Sequence, residues 1–521
     1  MNSKISKRLS EGPVVLLVWD GFGLSKRKLG NPIYGSKMPV WRKLWKQYPH
    51  AQLRADGSAV GLPPDEVGNS EAGHETIGAG RPILSDKVII NNAIKSGSFN
   101  KNPAFAKAVA HAKKNKSTLH LIGMLANHQS AHADFGHLIA LCKLVKSLKA
   151  PKVALHLFTD GRDAAPHHSI KLLEDLEKVM CPNVKVATII GRFYAMDRNR
   201  NWKRTEAAYK AMVNGVGVKA NSPAEAIEQA YDSGVSDEFI PPTVITNKDQ
   251  KPITVKDNDA VIFWNLRSDR ARQMVKPFIQ ESFNKKNKNS FERKHRLKNL
   301  LFVTMTEFGR QIDDAIAAYP HHETSGTIVE ALRSYKQVYI AESEKYAHVT
   351  YFLNGGYDTP RFHESRVRIP SSKVVTFDQN PKMQAEQIAK KIIESIKKDF
   401  DFICANFANA DMVAHTGNYK ATVKACEALD KTLKRIWQAV EKAEGTLIVT
   451  ADHGNAEEVL DNSGGMDTHH NANPVPVLIL NKQLGKKRLH NGTLADIAPT
   501  VLELLGAPMP KEMTGRKLFV K

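Results

Sequence analysis

The sequence predicts an α/β protein with largely parallel sheets, built from two or more domains. Short and nearly continuous apolar runs recur along the chain, as in strands that are buried on both faces. Amphipathic helical stretches, such as residues 385–397 and 419–442, follow or separate most of these runs. The chain has 521 residues, which is more than one hydrophobic core usually organises.

Eight of the apolar runs are predicted to form buried strands. In chain order they are VVLLVW before Asp20, VALHLFT before Asp160, VATII before Gly191, AVIFWN before Arg267, LLFVTM after Asn299, VYIA before Glu342, FICANF before Asp411 and TLIVT before Asp452. In parallel sheets, ligands bind outside the carboxyl ends of the strands. The strand ends therefore offer candidate functional residues: Asp20, Asp163, Arg192, Arg267, Lys345, Asp411 and Asp452.

The composition is that of a globular protein with a strong surplus of positive charge. Apolar residues make up 42% and charged residues 25%, which excludes disordered, collagen-like and disulfide-built chains. The 75 Lys and Arg exceed the 54 Asp and Glu, so the net charge of +21 attracts nucleic acid, anionic surfaces or small polyanions. The basic run 284–298 has few aromatic residues, so a solvated face or loop is favoured over a nucleic-acid-binding patch.

The cysteines and the apolar stretches indicate the cellular compartment of the protein. Cys142, Cys181, Cys404 and Cys426 show no CxxC or metal-type spacing, which fits buried free thiols in a reducing compartment. The apolar stretch near the N-terminus covers only residues 14–19, and no stretch reaches membrane-spanning length. A cytoplasmic monomer is expected, with neither a membrane nor a specific nucleic acid as partner.

The distribution of polar motifs suggests how the domains are arranged. Candidate metal ligands and a candidate nucleophile lie near the two chain ends, whereas histidines and arginines fill the middle from His132 to Arg270. The simplest arrangement is one domain built from residues 1–80 and 316–521, with residues 81–315 inserted as a second domain. The functional site is expected in the cleft between them.

Paired Asp and His residues predict a metal site. Asp411 and His415 are four residues apart on a helical turn, so both side chains can reach one ion. Asp452 and His453 follow a buried strand, and His470 lies in a nearby loop. Asp20 stands at another strand end, where Gly21 and Gly23 allow a tight turn. Oxygen and nitrogen ligands without thiolate suit two divalent ions such as Mn²⁺, with Zn²⁺ or Mg²⁺ as alternatives. The competing interpretation, helix-capping Asp residues, does not explain the Asp-His pairs.

Ser70 is a candidate nucleophile within GNSEAGH. Its small and turn-forming neighbours are typical of a hydroxyl exposed where a tight turn leads into a helix. The segment does not match G-x-S-x-G, and taken alone it also fits an ordinary helix N-cap serine. Beside metal ions, however, a serine hydroxyl loses its proton more readily and can act as a nucleophile.

Positively charged side chains at strand ends predict an anionic substrate. Single arginines next to Asp residues can form structural ion pairs, but several together fit forks that grip phosphate and carboxylate. His132 and Asp163 are candidates for proton exchange with a substrate hydroxyl, while core or supporting roles are equally expected for His74, His128 and His137. The candidate cations are Arg162, Arg192, Arg198, Arg267, Arg270 and Lys345.

These motifs resemble those of the cofactor-independent (2,3-bisphosphoglycerate-independent) phosphoglycerate mutases, whose metal domain is alkaline-phosphatase-like. The resemblance covers nearly the whole chain, in family order: DGFG at Asp20, GNSEAGH, DGRD, GRFYAMDR, RSDRARQ, AESEKYAHVT, NADMVAHTG, TADHGNAEE and HNANPVP. It implies an isomerase that interconverts 3-phosphoglycerate and 2-phosphoglycerate in glycolysis and gluconeogenesis. A phosphopentomutase, a phosphomonoesterase or a basic nucleic-acid-binding protein with a degenerate site are the alternatives.

The resemblance also implies roles for individual residues. One metal ion would be held by Asp411, His415 and His470, and a second by Asp20, Ser70, Asp452 and His453. Ser70 would be phosphorylated transiently, with His132, Asp163 and Lys345 assisting. The substrate would be held by His132, Arg162, Asp163, Arg192, Arg198, Arg267, Arg270 and Lys345.

The chain departs from the family pattern in two places. Where the family has a Gly-rich segment leading to HSH, this chain reads GMLANHQSAHADFGH, with one extra residue and with Asp134 in place of the second His. In GHETIG, Thr76 stands where Asn is common. Thr76 is expected to lie beyond the reacting atoms.

Overall fold

The protein forms two compact α/β units, which confirms the predicted fold class. The computed structural model describes residues 8–246, 251–309, 312, 314–321, 323–461, 463–484 and 487–520. The first unit combines Met1–Ser85 with His322–Lys521, and the second is Asp86–His321. Within the described ranges, the helices are all too short or too polar to cross a bilayer.

All eight predicted strands are present, together with others that the apolar pattern did not single out. The strands are β1 Val14–Trp19, β2 His50–Arg54, β3 Leu119–Met124, β4 Val153–Thr159, β5 Val184–Gly191, β6 Val218–Ala220, β7 Thr243–Ile245, β8 Ala260–Phe263, β9 Leu301–Thr306, β10 Ile316–Tyr319, β11 Gln337–Glu342, β12 Ser365–Ile369, β13 Phe402–Phe407, β14 Thr446–Thr450, β15 Val475–Leu480 and β16 Gly492–Thr493.

Helices connect most of the strands. They are α1 Pro32–Gly35, α2 Pro39–Gln47, α3 Ser70–Ala79, α4 Asp86–Ser96, α5 Pro103–Lys114, α6 Phe135–Ser147, α7 Ser169–Glu177, α8 Arg192–Ala195, α9 Trp202–Asn214, α10 Pro223–Asp232, α11 Ser268–Ile279, α12 Phe283–Lys286, α13 Ile328–Ala331, α14 Ala385–Ile396, α15 Asn409–Ala414, α16 Tyr419–Lys442 and α17 Ile497–Leu505.

The sheet of the first unit has β1 near its centre. Its strand order is β12-β11-β13-β1-β14-β15-β2-β16, and β1 pairs in parallel with β13 and β14. Every residue of β1 is at most 1% exposed, because helices or loops cover both faces of the sheet. The carboxyl ends of β11, β13, β1 and β14 consequently lie along one edge, where Lys345, Asp411, Asp20 and Asp452 follow.

The sheet of the second unit follows the same principle. Its order is β10-β9-β8-β3-β4-β5-β7-β6, with parallel pairing from β10 through β5. Asp160 follows β4 directly, and Arg192 follows β5. Because β4 and β5 are neighbours with parallel pairing, these two residues meet at the same sheet edge.

The cysteines and the basic run also have defined places. Cys142, Cys404 and Cys426 are buried free thiols, whereas Cys181 is only half-buried. Within the basic run, Phe291 and Leu297 are buried in the core of the second unit, and the neighbouring lysines are exposed. The run is thus a solvated face anchored by apolar side chains.

Candidate active site

Ser70 is the first residue of α3, and its hydroxyl does not cap the helix. The N-cap is Asn69, whose side chain accepts a hydrogen bond from Ala72 N at 2.9 Å. The interpretation of Ser70 as an ordinary N-cap serine was therefore wrong. Gly73 lets α3 lie against the end of β14, because a Cβ at this position would be 2.5 Å from the carbonyl oxygen of Asp452. The Ser70 Oγ is thereby held over the strand ends while the side chain is 6% exposed.

Acidic, basic and imidazole groups surround the Ser70 hydroxyl. Ser70 Oγ lies 3.2 Å from Asp20 Oδ1 and 2.9 Å from His453 Nε2. The Lys345 ammonium donates hydrogen bonds of 2.7 Å to Ser70 Oγ, Asp20 Oδ1 and Asp411 Oδ2. Lys345 is 5% exposed, so these interactions occur in a largely water-free environment.

The site carries a surplus of buried negative charge. The carboxylates of Asp20, Asp411 and Asp452 are at most 1% exposed, and the Lys345 ammonium contacts two of them, Asp20 and Asp411. Burial alone would lower the pKa of Lys345, but these carboxylates raise it above its ordinary value. Burial would likewise lower the pKa of His453, yet neighbouring carboxylates raise it to about 9. Such a surplus is stabilised by bound cations.

Asp411, His415 and His470 form one triangle of possible ligand atoms. Asp411 Oδ1 lies 3.2 Å from His415 Nε2 and 3.3 Å from His470 Nε2, and the two imidazole nitrogens are 3.0 Å apart. A cation about 2.1 Å from each of its ligand atoms separates them by about 3.0 Å in octahedral and about 3.4 Å in tetrahedral geometry. The observed spacings match this range.

A second group of possible ligand atoms surrounds Ser70. His453 Nε2 lies 3.5 Å from Asp20 Oδ1 and 3.7 Å from Asp452 Oδ2. Asp452 Oδ2 is buried, and the nearest possible donor among the described residues, His74 Nδ1 at 3.2 Å, does not form a well-aligned hydrogen bond with it, so the oxygen still has a lone pair for a cation. The donor chemistry and spacing of both groups therefore fit divalent cations.

The close packing of the segments that carry the site's Asp residues depends on Gly21. This residue has φ of 68°, in the left-handed region that favours glycine, and its N–H donates to Asp452 Oδ1 at 3.2 Å. A Cβ on Gly21 would be 2.8 Å from the Cα of Asp411. Gly21 thus allows the segments that carry Asp20, Asp411 and Asp452 to converge.

All seven predicted metal-site residues come together, but the sequence interpretation missed residues that hold them. Asn406, within β13, donates to Asp20 Oδ2 at 2.7 Å, and Asn455 donates to Asp411 Oδ1 at 2.8 Å. Asn406 is 0% exposed in an otherwise apolar strand. A polar side chain inside FICANF was the available signal, because buried polar groups require partners.

A second polar cluster lies at the sheet edge of Asp86–His321. Arg192 is 2% exposed; it pairs with Asp160 and lies 3.0 Å from Asp163 Oδ2. Ser130 Oγ donates to the same Asp163 oxygen at 3.0 Å, and His132 N donates to Ser130 Oγ at 3.2 Å. These bonds connect the β4 and β5 ends to the segment that carries His132.

His132 is neutral at neutral pH. Burial, followed by the positive charge of Arg192, lowers its pKa to about 4. The carboxyl group of Asp163 has the opposite role: burial would raise its pKa, but Arg192 holds it below its usual value. At neutral pH, the two side chains thus present a neutral imidazole and a carboxylate.

The other predicted arginines of this unit are near acidic or backbone oxygens, and several are exposed. Arg198 lies 2.8 Å and Arg267 3.8 Å from Asp269, and Arg162 lies 3.7 Å from Glu238. Burial, and then the charges of Arg192, Arg198 and Arg162, lower the pKa of Arg270. The structure thus brings the five arginines of this unit together, whereas Lys345 belongs to the first unit.

Asp134, which stands in place of the second His of the family's HSH motif, has a structural role. Asp134 is the N-cap of α6 and accepts a hydrogen bond from Gly136 N at 2.8 Å. Its carboxylate also lies 3.0 Å from His128 Nδ1, while Lys87 donates to the carbonyl of His128 at 2.6 Å. These contacts fix the longer segment before His132.

Comparison with known proteins identifies the family. A model of the metalloenzyme superfamily matches residues 12–509. The 2,3-bisphosphoglycerate-independent phosphoglycerate mutase of Clostridium perfringens (strain SM101 / Type A) is 44% identical, over 98% of this chain and 100% of its own length. The enzyme of that name from Moorella thermoacetica is 42% identical, over 98% of both chains.

A solved structure supports this assignment over the whole length. The crystal structure of Leishmania mexicana phosphoglycerate mutase at low cobalt concentration is similar with a TM-score of 0.72 and 28% identity, covering 99% of both chains. The chain therefore belongs to the 2,3-bisphosphoglycerate-independent phosphoglycerate mutase family of the metalloenzyme superfamily.

Proposed function

We propose that the protein interconverts 3-phosphoglycerate and 2-phosphoglycerate through a phosphoserine at Ser70, without 2,3-bisphosphoglycerate. The observation that carries the proposal is the environment of one hydroxyl. Ser70 Oγ lies within hydrogen-bond distance of Asp20, His453 and Lys345, next to two groups of atoms that fit divalent cations. Membership of the family supports the same reaction.

Two divalent cations would be held by the residues that converge on this hydroxyl. One group comprises Asp411, His415 and His470, and the other Asp20, Ser70, Asp452 and His453. Mn²⁺ is the proposed metal, with Zn²⁺ and Mg²⁺ as alternatives, because the donors are oxygen and nitrogen without thiolate. When bound, the cations would lower the pKa of the serine hydroxyl and neutralise charge on the phosphoryl group.

The chain supplies the nucleophile and one fixed positive charge. The Ser70 hydroxyl loses its proton, and Oγ forms a bond to phosphorus as the bond between phosphorus and the substrate oxygen breaks; that oxygen takes a proton. The other hydroxyl of glycerate then loses a proton and attacks the phosphoserine; the bond between phosphorus and Ser70 Oγ breaks, and Oγ takes up a proton. The Lys345 ammonium, held 2.7 Å from Ser70 Oγ, offsets the negative charge that develops on the transferring group.

The second unit is proposed to bind the substrate and exchange its protons. Neutral His132 can accept a proton from a hydroxyl, and Asp163 remains ionised beside Arg192. The remaining arginines would grip the phosphate and the carboxylate: Arg162, Arg198, Arg267 and Arg270. Residues 1–80 and 316–521 thus form the proposed metal-binding domain and residues 81–315 the substrate-binding domain. The cytoplasmic location and the monomeric state stay predictions.

The experiment measures 2-phosphoglycerate and free phosphate together. Metal-loaded protein is mixed with 3-phosphoglycerate, and a Ser70→Ala variant is compared with Ser395→Ala, a buried serine whose hydroxyl bonds to its own helix. We expect mutase turnover in wild type and Ser395→Ala, and its loss in Ser70→Ala. Full activity of Ser70→Ala would refute the covalent route, and phosphate release as fast as 2-phosphoglycerate formation would indicate a phosphomonoesterase.

A further inference from the structure

His74 and Asn406 form a buried pair beside the proposed metal site. Both side chains are 0% exposed. His74 Nδ1 lies 2.8 Å from the carbonyl oxygen of Ser70 and 3.2 Å from Asp452 Oδ2, and its Nε2 lies 3.1 Å from Asn406 Nδ2. Asn406 Nδ2 is also 2.7 Å from Asp20 Oδ2. The pair therefore contacts the backbone of the nucleophile and two candidate ligands.

Hydrogen-bond chemistry fixes the orientation of the Asn406 amide. The carboxylate of Asp20 only accepts hydrogen bonds, so the amide must direct its NH₂ group toward Asp20 Oδ2. The opposite orientation would place two oxygen acceptors 2.7 Å apart in a buried site. The same NH₂ group has a second hydrogen, and His74 Nε2 is the atom it reaches.

The orientation of Asn406 in turn fixes the tautomer of His74. Nε2 accepts a hydrogen bond from Asn406, so it carries no hydrogen in the neutral ring. The ring hydrogen must therefore be on Nδ1, which faces the acceptor oxygens of Ser70 and Asp452. Neither ring nitrogen then has a free lone pair for a cation.

The position of His74 would nevertheless suit a metal ligand. A ring nitrogen of His74 and carboxylate oxygens of Asp20 and Asp452 are all within 4.8 Å of one another, a grouping that could hold a metal ion. The hydrogen bonds exclude this, because Nδ1 carries the ring hydrogen and the lone pair of Nε2 accepts from Asn406, whereas a metal-binding nitrogen needs a free lone pair. We propose that His74, fixed as the Nδ1–H tautomer by Asn406, is a positioning residue that orients Asp20, Asp452 and the first turn of α3 for cation binding, without being a ligand.

The pair joins separate parts of the chain. Asn406 lies in β13, Asp20 follows β1, Asp452 follows β14, and Ser70 begins α3. Groups that orient metal ligands in this way typically contribute 10- to 100-fold in metal affinity. This inference rests on the proposed function, since it assumes that Asp20 and Asp452 hold a cation.

The tautomer can be measured in the wild-type protein, without any substitution. Protein labelled with ¹⁵N-histidine is studied by long-range ¹H–¹⁵N correlation spectroscopy, first metal-free and then with diamagnetic Zn²⁺. A His74→Phe spectrum assigns the signals. We expect His74 to carry its hydrogen on Nδ1 in both states. A hydrogen on Nε2, or loss of the Nδ1 hydrogen when Zn²⁺ is added, would overturn the proposal.

Metal titration tests the positioning effect itself. Asn406→Leu removes both hydrogen bonds of the amide, and Asn406→Ser is a smaller change for the case that the first variant folds poorly. The matched control is Asn354→Leu, because Asn354 is 2% exposed and bonds to the carboxylate of Glu364 away from the site. We expect Mn²⁺ affinity to fall about 10- to 100-fold in the Asn406 variants and to stay unchanged in the control.

A double variant separates positioning from ligation. If His74 and Asn406 act as one unit, His74→Phe combined with Asn406→Leu loses no more affinity than the stronger single variant. Each variant still binds two cations per chain at saturation. Additive losses, or the loss of one cation in His74→Phe alone, would contradict the positioning role. Absence of mutase turnover in wild type would instead refute the proposed function, whatever the tautomer.

Discussion

The positive charge of Lys345 has two separable effects: it can assist catalysis, and it can compete with the cations for the same carboxylates. Its ammonium group contacts Ser70 and two carboxylates at 2.7 Å, and it is almost fully buried. The carboxylates attract the ammonium and the cations alike. Removing the ammonium should therefore weaken catalysis without weakening metal binding.

We predict that Lys345→Met lowers kcat about 100- to 1000-fold, as expected when one group that stabilises transition-state charge is lost. Mn²⁺ affinity should stay equal or rise, because one competing positive charge has gone. Lys336→Met, at an exposed lysine, is the control. Steady-state kinetics and calorimetric metal titration provide both quantities, and a parallel loss of metal and activity would contradict this role of Lys345.

His137 predicts how the stability of the second unit depends on pH. Burial lowers its pKa to about 4, and its Nδ1 is buried without a hydrogen-bond acceptor within the described part of the chain. The folded state thus binds fewer protons than the unfolded state between about pH 6.5 and pH 4. The free energy of unfolding should fall as the pH is lowered through this window.

Replacing His137 by Gln should flatten that dependence by up to about 1.4 kcal/mol per pH unit. The Gln amide can still donate to Asn91 Oδ1, which lies 3.0 Å from His137 Nε2, but it does not titrate. Urea unfolding at several pH values measures the slope. An unchanged slope would show that His137 does not account for it.

At the residue scale, the sequence allowed the metal-site residues and Ser70 to be predicted because similar residue pairs recur along the chain. The Asp-His pairs and Ser70 drew attention because several unusual motifs occurred together. Asn406 was missed because its partner Asp20 lies 386 residues away, and no local pattern reports such a contact. The capping role of Asp134 was likewise visible only once α6 was in place.

At the scale of elements, α3 and the end of β14 determine the position of the nucleophile. Gly73 is the contact point, since a Cβ there would be 2.5 Å from the carbonyl oxygen and 2.9 Å from the Cβ of Asp452. A backbone carbonyl in a sheet-end turn cannot move aside as a flexible side chain can. The close approach therefore requires glycine.

We predict that Gly73→Ala lowers the free energy of unfolding by about 1–3 kcal/mol through overpacking. Alanine favours a helix by about 1 kcal/mol over glycine, which offsets only part of this cost. Metal affinity should fall as well, because α3 moves away from Asp452. Urea unfolding and metal titration, with the exposed Glu71→Ala on the same helix as control, test this. A stabilised variant with normal metal affinity would contradict the packing argument.

Strands that are buried on both faces could be predicted from the sequence, because they appear as continuous apolar runs. β1, β13 and β14 are continuous apolar runs and were predicted. β6 has only three residues and β10 only four, two of them alanine, so both are too short to stand out as strands, and their positions depend on pairing with neighbouring strands.

At the scale of the whole molecule, the metal site belongs to the unit built from both ends of the chain. Chelation should leave three buried carboxylates that the positive charges of Lys345 and His453 only partly offset, and should therefore destabilise this unit alone. A ligand at 100 times its dissociation constant stabilises the folded state by about 2.7 kcal/mol, so the effect is measurable.

We predict that removing metal raises hydrogen exchange in β1, β13, β14 and α3, and leaves β3, β4 and β5 unchanged. Hydrogen exchange followed by mass spectrometry, before and after chelation and again after adding Mn²⁺, measures both groups in one sample. Equal changes in both units would contradict a site held by the first unit alone.

The central claim is that Ser70 is the nucleophile among the converging ligand groups. Rapid acid quenching of metal-loaded protein during turnover of 3-phosphoglycerate, followed by peptide mass spectrometry, tests it most directly. The account predicts a phosphoryl group on Ser70 that disappears when metal is removed. Turnover without a phosphorylated Ser70 peptide, or with the phosphoryl group on another residue, would contradict it.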